Sequence, residues 1–200
     1  MSEESVPSVI IAALQALTDW LAEEEIPNAI IGAVGVSLAA RSRITKDIDG
    51  VIWVDSGQWE PLLNSAVSHH FKPRIKDPLA FARKARVLLL THEPTGIEID
   101  LSFGALPFER EMIDRAQTVV IGSLRAQVAT PEDLMITKAV ASRPKDLADI
   151  ELILEVHTDL NLERVRHWVH AFATALEMPE IEENLDRILT FHERRWQNSN

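Results

Sequence analysis

Two aspartates separated by one residue are the strongest candidates for chemistry in this sequence. Asp47 and Asp49 flank Ile48 in the run DIDGVIWV, which reads as a β-strand. On an extended chain both carboxylates point to one face of a sheet, while Ile48 points to the other face and into the core. Two like charges about 6–7 Å apart repel each other, so a hard divalent cation such as Mg²⁺ would bind favourably between them. The alternative is a strand end whose acids are simply solvated.

A third acidic candidate lies in the alternating run IEIDL at residues 97–101. Its period of two places Glu98 and Asp100 on one face of a half-buried strand and the aliphatic residues on the other. If this strand pairs beside the Asp47 strand, the acids form a three-carboxylate cluster of the kind that holds two metal ions. We favour Asp100 as the third ligand, with Glu98 flanking it. For this strand alone, an exposed polar face explains the pattern equally well.

Gly32 supplies a different kind of group, fifteen residues before Asp47. A buried strand over 28–31 ends there, and a short helix of small residues follows at once. The start of a helix offers free backbone N–H groups and a positive dipole end, both of which suit phosphate oxygens. A glycine that only punctuates the chain is the plainer explanation.

The elements that must position these residues alternate between helix and strand up to about residue 130, and only helices follow. Thr130 and Pro131 begin the helical part with a side-chain cap and a proline at the first helical position. We therefore predict an α+β fold with an α/β core over 1–129 and a helical C-terminal portion over 130–200 packed on it. The predicted strands cover 28–31, 47–54, 87–91, 97–103, 118–121 and 124–128, and the predicted helices cover 9–21, 32–40, 58–70, 107–116, 131–142, 144–157, 162–176 and 180–196.

Composition narrows the class of protein. The 200 residues carry a formal net charge of −11 and no cysteine, which argues against a general nucleic-acid coat and against thiolate chemistry. The segment from Lys72 to Arg86 is nonetheless basic, with six basic residues and a single acid. Such a segment is either a solvated surface or a patch for a polyanion, such as a nucleoside triphosphate or an RNA backbone. No signal peptide or spanning run is visible, so we expect a cytoplasmic protein with no membrane partner.

Four motifs in order resemble a known family. The pair Gly32-Ala33, the run Arg43-x-Thr45-x-Asp47-x-Asp49, the strand with Asp100 and the segment Lys138-x(4)-Arg143-x-Lys145-Asp146-x-x-Asp149 follow one another with family-like spacing. They resemble the polymerase-β-like nucleotidyltransferases, specifically the AbiEii-type toxins of abortive-infection and type IV toxin–antitoxin systems. The resemblance covers roughly residues 29–154, and it implies that the α/β core is the nucleotidyltransferase domain.

The resemblance implies a role for each matched position. Asp47 and Asp49 match the paired metal ligands, and Asp100 matches the third carboxylate that activates the acceptor hydroxyl. Lys138 matches a catalytic lysine on the nucleotide phosphates. The remaining matches imply nucleotide binding and comprise Gly32, Ala33, Arg43, Thr45, Asp146 and Asp149. Ala33 departs from the serine or glycine of the wider superfamily, which removes a hydroxyl but keeps the backbone N–H.

The resemblance further implies transfer of a nucleoside monophosphate from an NTP to a hydroxyl, with Mg²⁺ or Mn²⁺ as cofactor. The implied acceptor is RNA, such as a tRNA 3′ end, or a protein, and the implied partner is a cognate antitoxin. The residues themselves leave simpler explanations open. Lys138 could be solvated or paired with an acid one turn away, and Asp146 and Asp149 suit the start of a helix in any protein. A non-catalytic binding module on the same fold and another metal-dependent phosphoryl enzyme are the alternative functions.

Overall fold

A computed structural model describes residues 7–40 and 47–199. The chain divides into two compact units, Met1–Ala129 and Thr130–Asn200. Within the described residues, the first unit combines helices with a mixed sheet and the second consists of helices. The predicted α+β class is therefore confirmed. The assignment of one unit as a catalytic core and the other as a helical portion packed on it stays a prediction.

The described part of the first unit contains a seven-stranded sheet with the order β3-β4-β5-β2-β1-β7-β6. Neighbouring strands run antiparallel except for the pairs β2/β5 and β1/β7, which are parallel. The strands are β1 (Asn28–Ile31), β2 (Asp47–Ile52), β3 (Phe71–Pro73), β4 (Val87–His92), β5 (Ile97–Phe103), β6 (Gln117–Ile121) and β7 (Leu124–Val128).

The helices follow the predicted pattern, with ends that differ by a few residues. Those of the first unit are α1 (Ser8–Glu23), α2 (Gly32–Ala40), α3 (Trp59–Ser68), α4 (Pro78–Ala85) and α5 (Pro107–Arg115). Those of the second unit are α6 (Pro131–Ala141), α7 (Pro144–Val156), α8 (Leu162–Leu176) and α9 (Glu180–Ser199). Neither β3 nor α4 was predicted from the sequence. A strand of three residues carries no readable period, and α4 is short with a single buried position, Ala82.

One face of the sheet builds the core of the first unit. Leu14, Leu17 and Trp20 recur at helical spacing on α1 and are fully buried. Ile48 and Ile99 meet them from the two central strands, each with no exposed surface. The acids that precede and follow each of these isoleucines along its strand therefore belong to the opposite face of the sheet.

The second unit begins at a capped helix, as the sequence predicts. The Thr130 hydroxyl accepts a hydrogen bond from the Asp133 amide at 3.3 Å, and Pro131 occupies the first turn. Helix α6 ends where Ser142 adopts a left-handed conformation, and Arg143 is extended before Pro144. A proline disfavours helical dihedrals in the residue before it, which separates α6 from α7.

None of the helices in the described residues has the length and apolar character that a bilayer crossing demands.

Candidate active site

The strand register brings the predicted acids of β2 and β5 side by side. We call these four residues, Asp47, Asp49, Glu98 and Asp100, the acid row. Strands β2 and β5 are parallel neighbours, and Asp49 lies directly beside Asp100, while Asp47 lies beside Glu98. Adjacent strands are about 4.8 Å apart, so the paired carboxylates share one patch of the sheet. The strand pairing on which the predicted cluster depends is thus present. The ligand roles of Asp47, Asp49 and Asp100 stay predictions.

The acids point away from the core because each strand alternates. Ile48 is fully buried, whereas Asp47 is exposed and Asp49 is partly exposed. On β5, Ile99 is fully buried and Asp100 keeps 38% of its side-chain surface exposed. A ligand approaching this face of the sheet can reach these carboxylates directly.

Gly32 has a second role that the sequence did not reveal. Its backbone adopts φ +65°, a left-handed conformation that favours glycine. A Cβ atom placed on it would overlap the Asp49 carboxylate, since even Cγ of Asp49 would lie 2.7 Å away. The absence of a side chain therefore lets β1 turn into α2 against Asp49. The first turn of α2, with Gly32 and Ala33, lies next to the acid row because Ile31 pairs with Asp49.

Arg74, a residue of the basic segment 72–86, binds two members of the acid row. One terminal nitrogen of its guanidinium group donates to Glu98 Oε2 at 2.6 Å, and the other donates to Asp100 Oδ1. Its backbone N–H donates to the Leu89 carbonyl at 3.0 Å, and Leu89 is the β4 residue paired with Asp100. In the sequence, Arg74 stands out only as one of six basic residues. Arg74 lies two residues after Lys72, as two side chains on the same face of a strand do. This spacing could have indicated its position, but β3 was not predicted.

The pKa of Asp100 lies above its ordinary value. Partial burial is the largest cause, because it disfavours the charged carboxylate. The Arg74 guanidinium acts in the opposite direction, and the nearby carboxylates of Asp47 and Glu98 raise the pKa further. Burial and the neighbouring carboxylates together therefore outweigh Arg74 in setting the pKa of Asp100.

A divalent cation fits this site by donor type, position and charge. Carboxylate oxygens are the ligands that Mg²⁺ and Mn²⁺ prefer, and a cation beside Asp100 would reduce the repulsion from Asp47 and Glu98, which adds to burial in raising the pKa of Asp100. Within the two described ranges, no three acidic or histidine side chains are arranged closely enough to hold an ion as they stand. Arg74 already occupies one oxygen of Asp100, so cation binding requires a rearrangement of side chains here.

Lys138, Asp146 and Asp149 form a separate cluster in the second unit. The Lys138 ammonium lies 2.8 Å from Asp149 Oδ2 and 3.3 Å from Asp146 Oδ1, and all three side chains are buried. Arg143 also binds Asp146. Burial alone would raise the pKa of Asp146, but the bonds from Arg143 and Lys138 outweigh it and lower that pKa. The acids that pair with Lys138 lie on α7 and not one turn away on its own helix, and the role of Lys138 on phosphates stays a prediction.

The other predicted residues have different outcomes. Arg43 and Thr45 lie outside the described residues. The basic segment 72–86 is divided in its contacts, because Arg74 binds the acids and Arg86 donates to the carbonyls of Phe103 and Gly104. Its remaining cations are at least partly exposed: Lys72, Lys76, Arg83 and Lys84.

Solved structures with similar folds are nucleotidyltransferases or carry that name. An antigenic nucleotidyltransferase-like protein from Paracoccidioides brasiliensis matches with a TM-score of 0.56 at 16% identity, covering 90% of this chain and 94% of that one. The antibiotic-resistance factor ANT(2″)-Ia matches with a TM-score of 0.61 at 12% identity, over 86% of this chain and 96% of its own. The lincosamide antibiotic adenylyltransferase LnuA matches with a TM-score of 0.55 at 15% identity, over 77% and 100%. At these identities the likeness shows a nucleotidyltransferase fold.

Among curated proteins, no match to this chain was found. The family described as "Nucleotidyltransferase of unknown function (DUF6036)" matches residues 10–198, which is nearly the whole chain. This chain therefore belongs to that nucleotidyltransferase family.

Proposed function

We propose that the protein transfers a nucleoside monophosphate from an NTP to an acceptor hydroxyl, with Asp47, Asp49 and Asp100 at the reacting centre. One observation carries the proposal: Asp49 and Asp100 lie side by side on parallel strands, next to the glycine-opened start of α2. Phosphate oxygens suit the N–H groups of that helix start, so an NTP held there would extend over the acids.

Each residue has a distinct task in this reaction. The bond that forms joins the acceptor oxygen to the α-phosphorus, and the bond that breaks releases pyrophosphate. Asp100 takes the hydroxyl proton, the role that the sequence resemblance implies for the third carboxylate. The backbone N–H groups of Gly32 and Ala33 orient the phosphates. Catalysis then rests on positioning and on charge stabilisation.

Asp47, Asp49 and Asp100 are the residues that would hold Mg²⁺ or Mn²⁺. Such a cation, when bound, supplies positive charge against the phosphate oxygens and the leaving pyrophosphate. The carboxylate donor set supports this assignment, as does the pairing of Asp49 beside Asp100 on neighbouring strands.

For the acceptor, we propose an RNA end, such as that of a tRNA, or a protein hydroxyl. The support is the resemblance of the four sequence motifs to AbiEii-type toxins, from which a growth-arresting role and a cognate antitoxin also follow. The cations Lys72, Lys76, Arg83 and Lys84 supply a local positive surface on the unit that carries the acids. A polyanion would be attracted there despite the overall charge of −11.

A small hydroxyl compound is the second candidate acceptor. ANT(2″)-Ia has been solved with adenylyl-2″-tobramycin, and LnuA with lincomycin. This chain matches nearly the full length of both, and its acidic net charge suits a cationic small molecule better than a nucleic acid.

The test measures transfer of a labelled nucleotide by the wild-type protein and by variants of the acids. Each α-³²P-labelled NTP is incubated with Mg²⁺ or Mn²⁺ and, in parallel, with total RNA, cell protein, or a panel of aminoglycosides and lincosamides. The variants are Asp49→Asn and Asp100→Asn, each of which removes one charge at constant size. Asp55→Asn is the control, because Asp55 is exposed and follows the far end of the same strand.

We expect transfer of label with release of pyrophosphate, loss of roughly a hundredfold or more in the two site variants, and wild-type rates in the control. The labelled acceptor identifies the substrate class. Hydrolysis of the NTP without any acceptor would instead indicate another metal-dependent phosphoryl enzyme. Absence of transfer together with absence of nucleotide binding would indicate a non-catalytic binding module.

A further inference from the structure

Arg74 occupies the position of a counter-ion for the acid row. Four residues follow one another across the neighbouring segments of the sheet: Asp49 on β2, Asp100 on β5, Leu89 on β4, and Arg74 immediately after β3. The Arg74 side chain is 22% exposed and bonds both Glu98 and Asp100, whereas its main chain is held by Leu89. The backbone pairing of the sheet therefore positions the guanidinium group of Arg74 beside the acids.

The two positive charges compete for the same carboxylate. A divalent cation held by Asp49 and Asp100 needs at least one oxygen of Asp100, and Arg74 now engages one of the two. Bringing a cation beside a bound guanidinium group adds like-charge repulsion in a partly buried site. Binding of the cation alone therefore either takes place against this repulsion or displaces Arg74 from Asp100, and both cost free energy.

The present contacts do not satisfy all of Arg74. Its Nε–H is buried and finds no hydrogen-bond acceptor among the residues that the structure describes. A guanidinium group presents its donors in a planar fork that matches phosphate oxygens as well as carboxylates. A polyphosphate at the start of α2 would offer acceptors that Glu98 and Asp100 do not.

We propose that Arg74 exchanges partners during nucleotide binding. In the free protein it neutralises Asp100 and Glu98, and it leaves them for the phosphates when an NTP enters together with a divalent cation. This inference rests on the proposed nucleotidyl transfer and adds that the cation binds weakly until a nucleotide is present. Arg74 is then a positioning residue for the phosphates and a barrier to the cation alone.

Two binding measurements on unreacted protein test the exchange. The first is Mn²⁺ binding without nucleotide, followed by the electron paramagnetic resonance signal of free Mn²⁺. The second is binding of α,β-methylene ATP, GTP, CTP and UTP in turn with Mn²⁺, since these analogues cannot transfer their nucleotide. The proteins are wild type, Arg74→Gln, Arg74→Lys and Arg125→Gln, each checked for native circular dichroism. Arg125 is exposed on β7 and serves as the charge-matched control.

We expect Arg74→Gln to bind Mn²⁺ alone roughly tenfold more tightly than wild type and the preferred analogue roughly tenfold more weakly. Arg74→Lys keeps the charge without the fork and should lie between the two in both measurements. Arg125→Gln should match wild type.

Two patterns would overturn the inference in distinguishable ways. If wild type binds Mn²⁺ and an analogue but Arg74→Gln leaves either affinity unchanged, the exchange is wrong and the nucleotidyl transfer stands. If neither wild type nor Arg74→Gln binds Mn²⁺ with any analogue, the proposed cation and nucleotide site is wrong, and the exchange with it.

Discussion

At the scale of single residues, the acid row depends on the absence of a side chain at Gly32. Two effects coincide there: a positive φ that costs an L-residue about 1–2 kcal/mol, and a space that the Asp49 carboxylate fills. The turn and the acid are thus positioned by one another. Gly32, for which we propose a role in phosphate binding, is therefore also a determinant of carboxylate geometry.

Other glycines in the chain separate the two effects, so we expect a graded series of alanine variants. Gly96 has φ +71° with open space around its Cβ position, whereas Gly57 has open space and no positive φ. Gly57→Ala should change the free energy of unfolding by less than about 0.5 kcal/mol, and Gly96→Ala should lower it by about 1–2 kcal/mol. Gly32→Ala should lower it further because Asp49 must move. Urea denaturation measures all three, and equal losses at Gly32 and Gly96 would contradict the contact with Asp49.

At the scale of secondary-structure elements, helices α6 and α7 are joined by a buried charge cluster. The side chains of Lys138, Asp146 and Asp149 are 7%, 0% and 5% exposed. Removing one partner from a buried ion pair leaves an uncompensated charge and costs about 3–5 kcal/mol. Because Arg143 still binds Asp146, we expect Lys138→Met to destabilise the protein by about 3 kcal/mol, at the lower end of that range, measured by urea denaturation.

Lys145→Met is the control for this variant, because Lys145 is exposed at the start of α7. It should change the free energy of unfolding by less than about 0.5 kcal/mol. A Lys138→Met protein of wild-type stability that fails to bind nucleotide would contradict the structural role and support the phosphate contact that the sequence resemblance implies.

Two histidines at the ends of elements contribute to stability in opposite pH ranges: His92 at the end of β4 and His69 directly after α3. Burial of His92 on β4, with repulsion from His70, lowers its pKa below the usual 6.5. Its contribution is therefore present above pH 6.5 and is lost as the pH falls through the folded-state pKa. Bonds to the Ser65 carbonyl and Glu23 raise the pKa of His69 above 6.5. Its contribution is present below pH 6.5 and is lost as the pH rises through the folded-state pKa.

Urea denaturation at pH 5 to 8 checks these signs. Relative to wild type, His92→Asn should lose less stability on acidification, and His69→Asn should lose less on raising the pH. Asparagine keeps a polar group near the position of Nδ1 in both cases. Parallel pH profiles for wild type and both variants would contradict the assigned shifts.

The same elements show how far the sequence predicts the site. Period-two alternation placed Asp47, Asp49 and Asp100 on solvent-facing sides of strands, because burial on one face imposes that pattern. Which strands become neighbours depends on packing between distant segments, so the register of Asp49 beside Asp100 could only be assumed. Arg74 was missed for the same reason. It follows a strand of three residues, and its partners lie on another strand more than twenty residues along the chain.

At the scale of the whole molecule, charge bears on the choice of acceptor. The chain carries a net charge of −11, and four exposed cations of the segment from β3 to α4 form a local basic surface: Lys72, Lys76, Arg83 and Lys84. RNA affinity that depends on these four contacts should fall with salt, with a log–log slope no steeper than roughly −3, because each single-strand phosphate contact contributes about −0.7.

Replacing these four residues by glutamine should therefore raise KM for an RNA acceptor and flatten its salt dependence, while KM for the NTP changes little. Steady-state transfer at 50 to 300 mM KCl measures both effects. For a small cationic acceptor we expect the opposite effect. The acidic remainder of the protein attracts it, whereas the three lysines and Arg83 repel it. Its KM should fall or stay constant in the same variant. The sign of the change in acceptor KM thus discriminates between a nucleic acid and a small hydroxyl compound, because the two classes of acceptor carry opposite charge.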